Sequence, residues 1–138
     1  MCGAVSFTAT EVPGTFGACH CEMCRRWTGS ALLGVTVPKD KVTWTGTENI
    51  AEFQSTSWAK RAWCRVCGSN LYFQFTMDGA WSDEVELPLG LFDDPNGFRM
   101  TNEIYIDHKP DSFSYTPTDR QVLTRQQVVE KAPHVEGD

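Results

Sequence analysis

Short segments in which hydrophobic and polar residues alternate recur along the chain and predict a mainly β structure. The alternation is clear in Asn70–Phe75 and Glu103–Asp107, where successive side chains would face opposite sides of a sheet. Turn-forming residues separate such segments, as in Met77–Gly79 and Asp93–Gly97. Short strands with frequent turns favour antiparallel pairing. The predicted strands are Val5–Thr8, Ala31–Val37, Lys41–Trp44, Asn49–Gln54, Ala59–Trp63, Asn70–Phe75, Glu84–Leu91 and Glu103–Asp107.

Helices have a small part in the predicted structure. One helical turn is expected from Cys21 to Trp27, and Gly29 would stop it. A second helix is predicted over Asp119–Lys131, with Thr118 and Gln121 as a possible capping box. The polar residues from Ala132 to Asp138 are expected to fray.

Composition and charge narrow the class of protein. A chain of 138 residues, 41% hydrophobic and 22% charged, suits a single globular domain. The net charge of −6 argues against a general nucleic-acid-binding protein, which needs a basic face. No run approaches the roughly 20 apolar residues of a membrane helix, and the start lacks the pattern of a signal peptide. We therefore predict a cytoplasmic protein without nucleic-acid or membrane partners, and the sequence carries no prediction of its oligomeric state.

The six cysteines are the most informative chemical feature of the chain. They fall into three groups: Cys2 alone, Cys19, Cys21 and Cys24 as C-x-C-x-x-C, and Cys64 with Cys67 as C-x-x-C. In a reducing cytosol, clustered cysteines bind metal more often than they form structural disulfides. Zinc takes four ligands at tetrahedral corners, with Zn–S distances of about 2.3 Å. The cysteines therefore predict zinc binding.

Spacing alone leaves two assignments of the cysteines to metal sites open. In the first, a single closed four-thiolate site uses Cys21, Cys24, Cys64 and Cys67, as in a zinc ribbon. In the second, Cys64 and Cys67 join Cys2 in a structural site, and a separate three-thiolate site uses Cys19, Cys21 and Cys24. Three protein ligands with an open fourth position are typical of a catalytic zinc, and four protein ligands of a structural one.

Longer motifs around and beyond the cysteines carry a family resemblance. They read CGAV from Cys2, CHCEMCRRWTGS from Cys19, CRVCGS from Cys64, LGLFDDP from Leu89 and IYIDHKP from Ile104. In this order they resemble the glutathione-dependent formaldehyde-activating enzyme family over roughly residues 1–110. The block that begins at Cys19 is the most specific of them.

The resemblance implies a β-tent fold of short antiparallel strands held together by zinc. It also implies the second assignment, with a structural zinc at Cys2, Cys64 and Cys67 and a catalytic zinc at Cys19, Cys21 and Cys24. The family usually has a further cysteine two positions before the one matched by Cys2. The fourth ligand of the structural site would then be water, the N-terminal amine or another residue. We expect residues 1–117 to form the zinc-binding domain and residues 118–138 a C-terminal tail.

The activity that the resemblance implies is that of a carbon–sulfur lyase or synthase, which adds formaldehyde or another small aldehyde to glutathione or a similar thiol. A zinc-bound thiol loses its proton and becomes the competent nucleophile. Arg25 and Arg26 follow Cys24 directly and are candidates to bind the carboxylates of glutathione. Weaker candidates near the second cysteine pair are Lys60, Arg61 and Arg65.

Two further residues beside the first cluster carry expectations. His20 lies between two candidate ligands and is expected to be a surface residue beside the metal. Among the aromatic residues, Trp27 is the candidate to form a wall of a small pocket, because it lies beside the first cluster.

Two other functions use fewer of the cysteines. The chain could be a non-catalytic, zinc-ribbon-like binding module, and a closed site with Cys21 and Cys24 would favour that function. It could also be a redox protein that uses Cys64 and Cys67, and reversible thiol cycling without zinc would favour this second alternative.

Overall fold

The computed structural model describes residues 1–116 and 118–136 and has a mainly β architecture, which confirms the predicted fold class. Within these residues, two α-helices are present, α1 (Glu22–Thr28) and α2 (Arg125–Lys131). The ten strands are β1 (Ser6–Ala9), β2 (Thr15–Cys19), β3 (Leu32–Pro38), β4 (Val42–Thr45), β5 (Ile50–Thr56), β6 (Ala59–Cys64), β7 (Asn70–Phe75), β8 (Glu84–Pro88), β9 (Arg99–Ile104) and β10 (Gln121–Leu123). Neither described helix is long and apolar enough to cross a membrane.

Eight strands form one sheet, in the order β10-β9-β2-β3-β8-β7-β6-β5, and β1 pairs with β4 in a separate two-stranded ribbon. Most neighbouring strands are antiparallel, as predicted. The exception is β9, which runs parallel to both β2 and β10. Its parallel register places Ile104 opposite Cys19, so the residues that follow β9 arrive beside the first cysteine cluster.

The alternation of side chains divides the large sheet into a packed face and an open face. On the packed face, Val35, Val37 and Leu87 are completely buried, and Phe7 and Trp44 of the ribbon pack against the same cluster. The side chains between them, such as those of Thr36 and Glu86, face the other way. The open face is the one on which the first cysteine cluster lies.

The structure differs from the predicted elements mainly at three strands and one helix. The strand predicted over Glu103–Asp107 is displaced: β9 spans Arg99–Ile104, and a 3-10 turn covers Ile106–His108. The strands β2 and β10 were not predicted, since each is short and β2 contains a glycine. The helix α2 begins later than predicted, because Thr124 and Gln127 form its capping box, in place of the predicted pair Thr118 and Gln121. The expected boundary at Pro117 and the expected fraying of Gly137 and Asp138 lie outside the described residues, and the domain division stays a prediction.

Gly46 fixes the N-terminal segment against the ribbon. It has a left-handed backbone with a φ of 75°, and its carbonyl accepts a hydrogen bond from the backbone N–H of Asn49 at 2.9 Å. A Cβ added at Gly46 would overlap the backbone oxygen of Ala4, two residues after Cys2. Only a residue without a side chain fits this contact.

We predict that Gly46→Ala destabilises the protein by about 2–4 kcal/mol, through backbone strain and overlap with Ala4 together. The matched control is Gly97→Ala, because Gly97 has a φ of 81° with no atom near the added Cβ. It should cost only about 1 kcal/mol, from backbone strain alone. Urea unfolding of both variants measures the difference, and equal losses would show that the contact with Ala4 contributes nothing.

Candidate metal centre and substrate cleft

The first cysteine triad, Cys19, Cys21 and Cys24, lies where β2 ends and α1 begins. Cys21 is the N-cap of the helix, and its Sγ accepts a hydrogen bond from the backbone N–H of Cys24 at 3.4 Å. Gly29 ends the helix after seven residues in a left-handed conformation. This strand–turn–helix unit folds the three cysteines together, and their sulfur atoms all lie within 4.8 Å of one another.

The second cysteine triad, Cys2, Cys64 and Cys67, joins the N-terminal segment to the end of β6. A turn closed by a hydrogen bond from the backbone N–H of Gly68 to the carbonyl of Cys64 folds the chain back. Hydrogen bonds from the side chain and backbone of Ser69 lower the pKa of the Cys67 thiol to about 6. The second triad therefore favours thiolate at Cys67 near neutral pH.

The spacing of the sulfur atoms fits a tetrahedral metal centre. Zn–S bonds of about 2.3 Å at tetrahedral angles place neighbouring sulfur atoms about 3.8 Å apart. The Sγ atoms of Cys2 and Cys64 are 3.7 Å apart, and each triad has its three sulfur atoms within 4.8 Å. Each triad could hold a metal ion. This grouping is the second of the two assignments, and it does not combine Cys21 and Cys24 with Cys64 and Cys67.

Crowding makes the thiols of the first triad unequal in acidity. Hydrogen bonds from Cys19 and Cys24 lower the pKa of Cys21 to about 2, although burial opposes this change. A hydrogen bond with Cys19 lowers the pKa of the Cys24 thiol. The hydrogen bond with Cys21 and the burial of Cys24 have a larger combined effect, and they raise this pKa to about 12. One thiolate is thus stabilised by its neighbours, and removal of all three protons requires additional positive charge.

A cleft of about 720 Å³ opens beside the first triad. All three cysteines of that triad line it, whereas Cys2 and Cys64 do not. Its floor is the open face of the sheet, and α2 contributes part of one wall. The first triad therefore borders a space in which a small molecule can bind.

Arg61 is the cation closest to the first triad among the contacts of the described residues. It lies on β6 with only 5% of its surface exposed, and its Nη2 donates to Cys24 Sγ at 3.7 Å. Its other terminal nitrogen, Nη1, donates to the hydroxyl of Ser55, and the guanidinium lies 5.1 Å from the ring centre of Phe73. From sequence, Arg61 was expected near the second cysteine pair, but the structure places it against the first.

The two arginines proposed from sequence as substrate ligands occupy different positions. Arg26 lines the cleft, is largely exposed and forms an ion pair of 2.9 Å with Glu22 one helical turn earlier. Arg25 is not among the residues that line the cleft, and its Nε is buried without a partner in the described part of the chain. Trp27, the expected aromatic wall, does not line the cleft either, and instead packs 5.7 Å from the guanidinium of Arg61.

His20 is buried, so its prediction as a surface residue was wrong. Its Nε2 is 2.7 Å from Glu103 Oε2, and Arg120 forms an ion pair with the other oxygen of the same carboxylate. The ring also stacks with Tyr115 at a centroid distance of 6.1 Å. His20 lies between Cys19 and Cys21 in the sequence. Its buried contacts with Glu103 and Tyr115 therefore help to fix the position of the backbone that carries both cysteines.

The polar floor of the cleft was not found from sequence. Gly17 and Gly34 are cross-strand partners on β2 and β3. The side chain of Asn102 lies over the first glycine and that of Glu86 over the second, where a Cβ would otherwise be. Glu86 Oε1 accepts a hydrogen bond from the Thr36 hydroxyl at 2.7 Å, and burial raises the pKa of its carboxyl. The alternation of β8 places Glu86 on this face, but nothing in the sequence indicates the facing glycines.

Tyr105 completes the site on the side of β9. It follows the end of that strand with a φ of 56°, a conformation that is uncommon for residues other than glycine. Burial and the nearby thiolates of Cys21 and Cys19 raise the pKa of its phenol to about 12. The side chain therefore stays protonated and can donate a hydrogen bond within the cleft that it lines.

Comparisons with known proteins agree with this geometry. The family model of the glutathione-dependent formaldehyde-activating enzyme matches residues 1–108. The chain belongs to this family. It is also 28% identical over 115 residues to an uncharacterized lyase of Schizosaccharomyces pombe, covering 83% of this chain and 81% of that protein. The match to the family contains all six cysteines of the two triads.

A solved structure is similar in fold. The crystal structure of a Rhodobacter sphaeroides protein superimposes with a TM-score of 0.57 and covers 89% of this chain and 94% of that one, at 21% identity. This likeness concerns the fold alone. The segment that matches the family model ends at residue 108, before β10 and α2.

We predict that Glu86→Gln stabilises the protein near neutral pH. Burial raises the pKa of Glu86 in the folded state. The protonated carboxyl therefore stabilises the fold at acidic pH, and this contribution is lost as the pH rises through the folded pKa. A glutamine keeps the acceptor for Thr36 without this loss. Urea unfolding at about pH 4 and pH 7.5 should show equal stability in acid and a more stable variant at the higher pH. A variant less stable than the parent at the higher pH would contradict it.

Proposed function

We propose that the chain is a zinc-dependent carbon–sulfur lyase or synthase that adds formaldehyde or another small aldehyde to glutathione or a similar thiol. One observation carries the proposal: three thiols converge within 4.8 Å at the side of a cleft of about 720 Å³. The second triad does not border that cleft. The chemistry then belongs to Cys19, Cys21 and Cys24, and a structural role to Cys2, Cys64 and Cys67.

Zinc suits both triads because their donors are thiols with tetrahedral spacing. Bound at the first triad with one open position, the ion would supply the positive charge that lowers the pKa of a substrate thiol. Three protein ligands leave that position free. The residues of the chain provide the rest of the site.

Arg61 is the residue that we assign to charge balance at the triad. Its Nη2 donates to Cys24 Sγ, and burial keeps this contact away from water. A hydrogen bond of this kind reduces the negative charge on sulfur and fixes its direction. The aromatic contacts with Phe73 and Trp27 hold the guanidinium in place.

In the proposed reaction, the sulfur of the substrate thiol attacks the carbonyl carbon of the aldehyde. A carbon–sulfur bond forms, the carbonyl π bond breaks, and the thiol proton ends on the former carbonyl oxygen. With glutathione and formaldehyde the product is S-hydroxymethylglutathione, and the reverse direction is the lyase reaction. We assign the hydrogen bond to that oxygen to the Tyr105 phenol, which lines the cleft and stays protonated.

The carboxylates of glutathione need cationic partners, and Arg26 is the member of the predicted arginine pair that borders the cleft. Its present partner Glu22 is 52% exposed, so an incoming carboxylate exchanges one exposed ion pair for another. Arg25 stays a prediction from sequence. We also propose a cytoplasmic location, where glutathione is abundant and thiols remain reduced.

The central test measures the rate at which formaldehyde and glutathione interconvert with their adduct. This rate is followed by NMR in the presence of zinc-loaded protein. We expect the chain to accelerate exchange, and Cys21→Ser to lower the rate by about 100-fold or more. Cys2→Ser is the matched control: elemental analysis should show loss of one zinc per chain, with the exchange rate retained. A zinc-loaded chain that leaves the exchange rate unchanged would contradict the proposal.

We predict that Arg26→Ala raises KM for glutathione by about 3–10-fold and leaves kcat nearly unchanged, because an exposed ion pair contributes to binding before and during the reaction alike. Lys60→Ala is the control, since Lys60 pairs with Glu52 and does not line the cleft. Steady-state kinetics with varied glutathione checks both variants. An unchanged KM in Arg26→Ala would remove this residue from the binding site.

A further inference from the structure

We propose that the aldehyde, or the aldehyde-derived part of the adduct, carries an aromatic or extended apolar group that binds along one wall of the cleft. This inference rests on the proposed function, because it assumes that the carbon–sulfur bond forms beside the first triad. The wall consists of Trp58, Phe73, Phe75 and Trp81, all of which line the cleft. We refer to these four residues as the aromatic wall.

The aromatic wall begins at the cysteines and continues outward without interruption. Trp58 and Phe73 are buried in one hydrophobic cluster with Cys24, and Cys19, Cys21 and Phe75 pack against that cluster. Phe75 lies 5.1 Å from Phe73 and 5.5 Å from Trp81 between ring centroids. A group attached to the reacting carbon would therefore meet aromatic surface as soon as it leaves the sulfur atoms.

The outer end of the aromatic wall is open to water. The indole of Trp81 is 39% exposed, and the neighbouring Met77 is equally exposed. Burial of aromatic surface is favourable, so a tryptophan that is partly in solvent at the edge of a cleft is stabilised when a ligand covers it. Trp58 and Phe73 already belong to the core, so the exposed part of Trp81 is the surface that a ligand would cover.

C-terminal residues also border this half of the cleft. Val128 of α2, the C-cap residue Ala132 and the following Val135 line it, and Val135 packs on the same cluster as Trp58. These residues lie beyond residue 108, where the family match ends. The apolar half is therefore bordered in part by a segment that the family match does not include.

The size of the cleft admits the same occupant. Pockets of about 300–1,000 Å³ hold ligands of drug size, and the cleft of about 720 Å³ lies well within that range. Formaldehyde contributes a single carbon to the adduct and would leave the exposed part of Trp81 uncovered. An aldehyde with a phenyl or longer alkyl group would cover it, while the same addition takes place at sulfur: the carbon–sulfur bond forms, the carbonyl π bond breaks, and the proton moves to oxygen.

Binding of unreactive thioethers tests the aromatic wall apart from catalysis. We expect zinc-loaded protein to bind S-benzylglutathione at least about tenfold more tightly than S-methylglutathione, measured by calorimetry. Trp81→Ala should remove most of this preference, and Trp81→Phe should keep it. Phe53→Ala is the matched control, because Phe53 is an exposed aromatic residue on β5 that does not line the cleft. Equal affinities of the parent protein for the two thioethers would overturn the inference.

Kinetics with two aldehydes separates this inference from the proposed function. We expect phenylacetaldehyde to be used with a kcat/KM at least about tenfold above that for formaldehyde, and Trp81→Ala to lower only the value for phenylacetaldehyde. Catalysis with formaldehyde but no preference for the larger aldehyde would overturn the inference that the aromatic wall binds the substrate. It would leave the proposed function intact. Failure of both aldehydes to react would overturn the proposed function.

Discussion

Mutual repulsion among closely spaced thiolates is the constraint on which the rest of the structure depends. Three sulfur atoms within 4.8 Å cannot all lose their protons unless positive charge compensates them. One thiol, Cys21, is already acidified by its neighbours, while Cys24 holds its proton. A divalent cation bound within the cluster would meet this demand, and the buried guanidinium of Arg61 meets part of it from outside. The fold keeps these charges together by a short strand, a capped helix and a buried ion-pair network.

The two triads differ in their surroundings although their ligands are alike. The second triad joins the N-terminal segment to the turn after β6, so a metal there would tie two distant parts of the chain together. The first triad lies on the open face of the sheet with a cleft beside it. We therefore propose a cross-linking role for the second triad and a reactive role for the first, since that cleft is lined by the cysteines of the first triad alone.

Much of this arrangement could be predicted from residues that act locally. Alternation in Asn70–Phe75 and the turn residues after it indicate strands whatever their partners are. The clusters at Cys19 and Cys64 indicate metal because few residues separate the ligands. The assignment of Cys2 came from the family resemblance, since nothing near residue 2 shows which cysteine it faces.

The contacts that could not be predicted from the sequence depend on the order of the strands in the sheet. Arg61 reaches Cys24, and Asn102 lies over Gly17, because strands distant in sequence are neighbours in the sheet. His20 was misjudged for the same reason: its partner Glu103 is 83 residues away and arrives through the parallel pairing of β9 with β2. Long-range pairing of this kind leaves no periodic signal in either segment.

The parallel pairing of β10 with β9 has a consequence for how such a protein diversifies. Three residues of edge strand, with a hydrogen bond of 2.7 Å from the backbone N–H of Arg125 to Asp107 Oδ1, attach α2 to the margin of the sheet. An attachment at a margin can be lengthened, shortened or replaced without repacking Val35, Val37 and Leu87 at the centre. The part of the cleft that α2 and the residues after it line can therefore change in length and shape while the three cysteines of the first triad keep their positions.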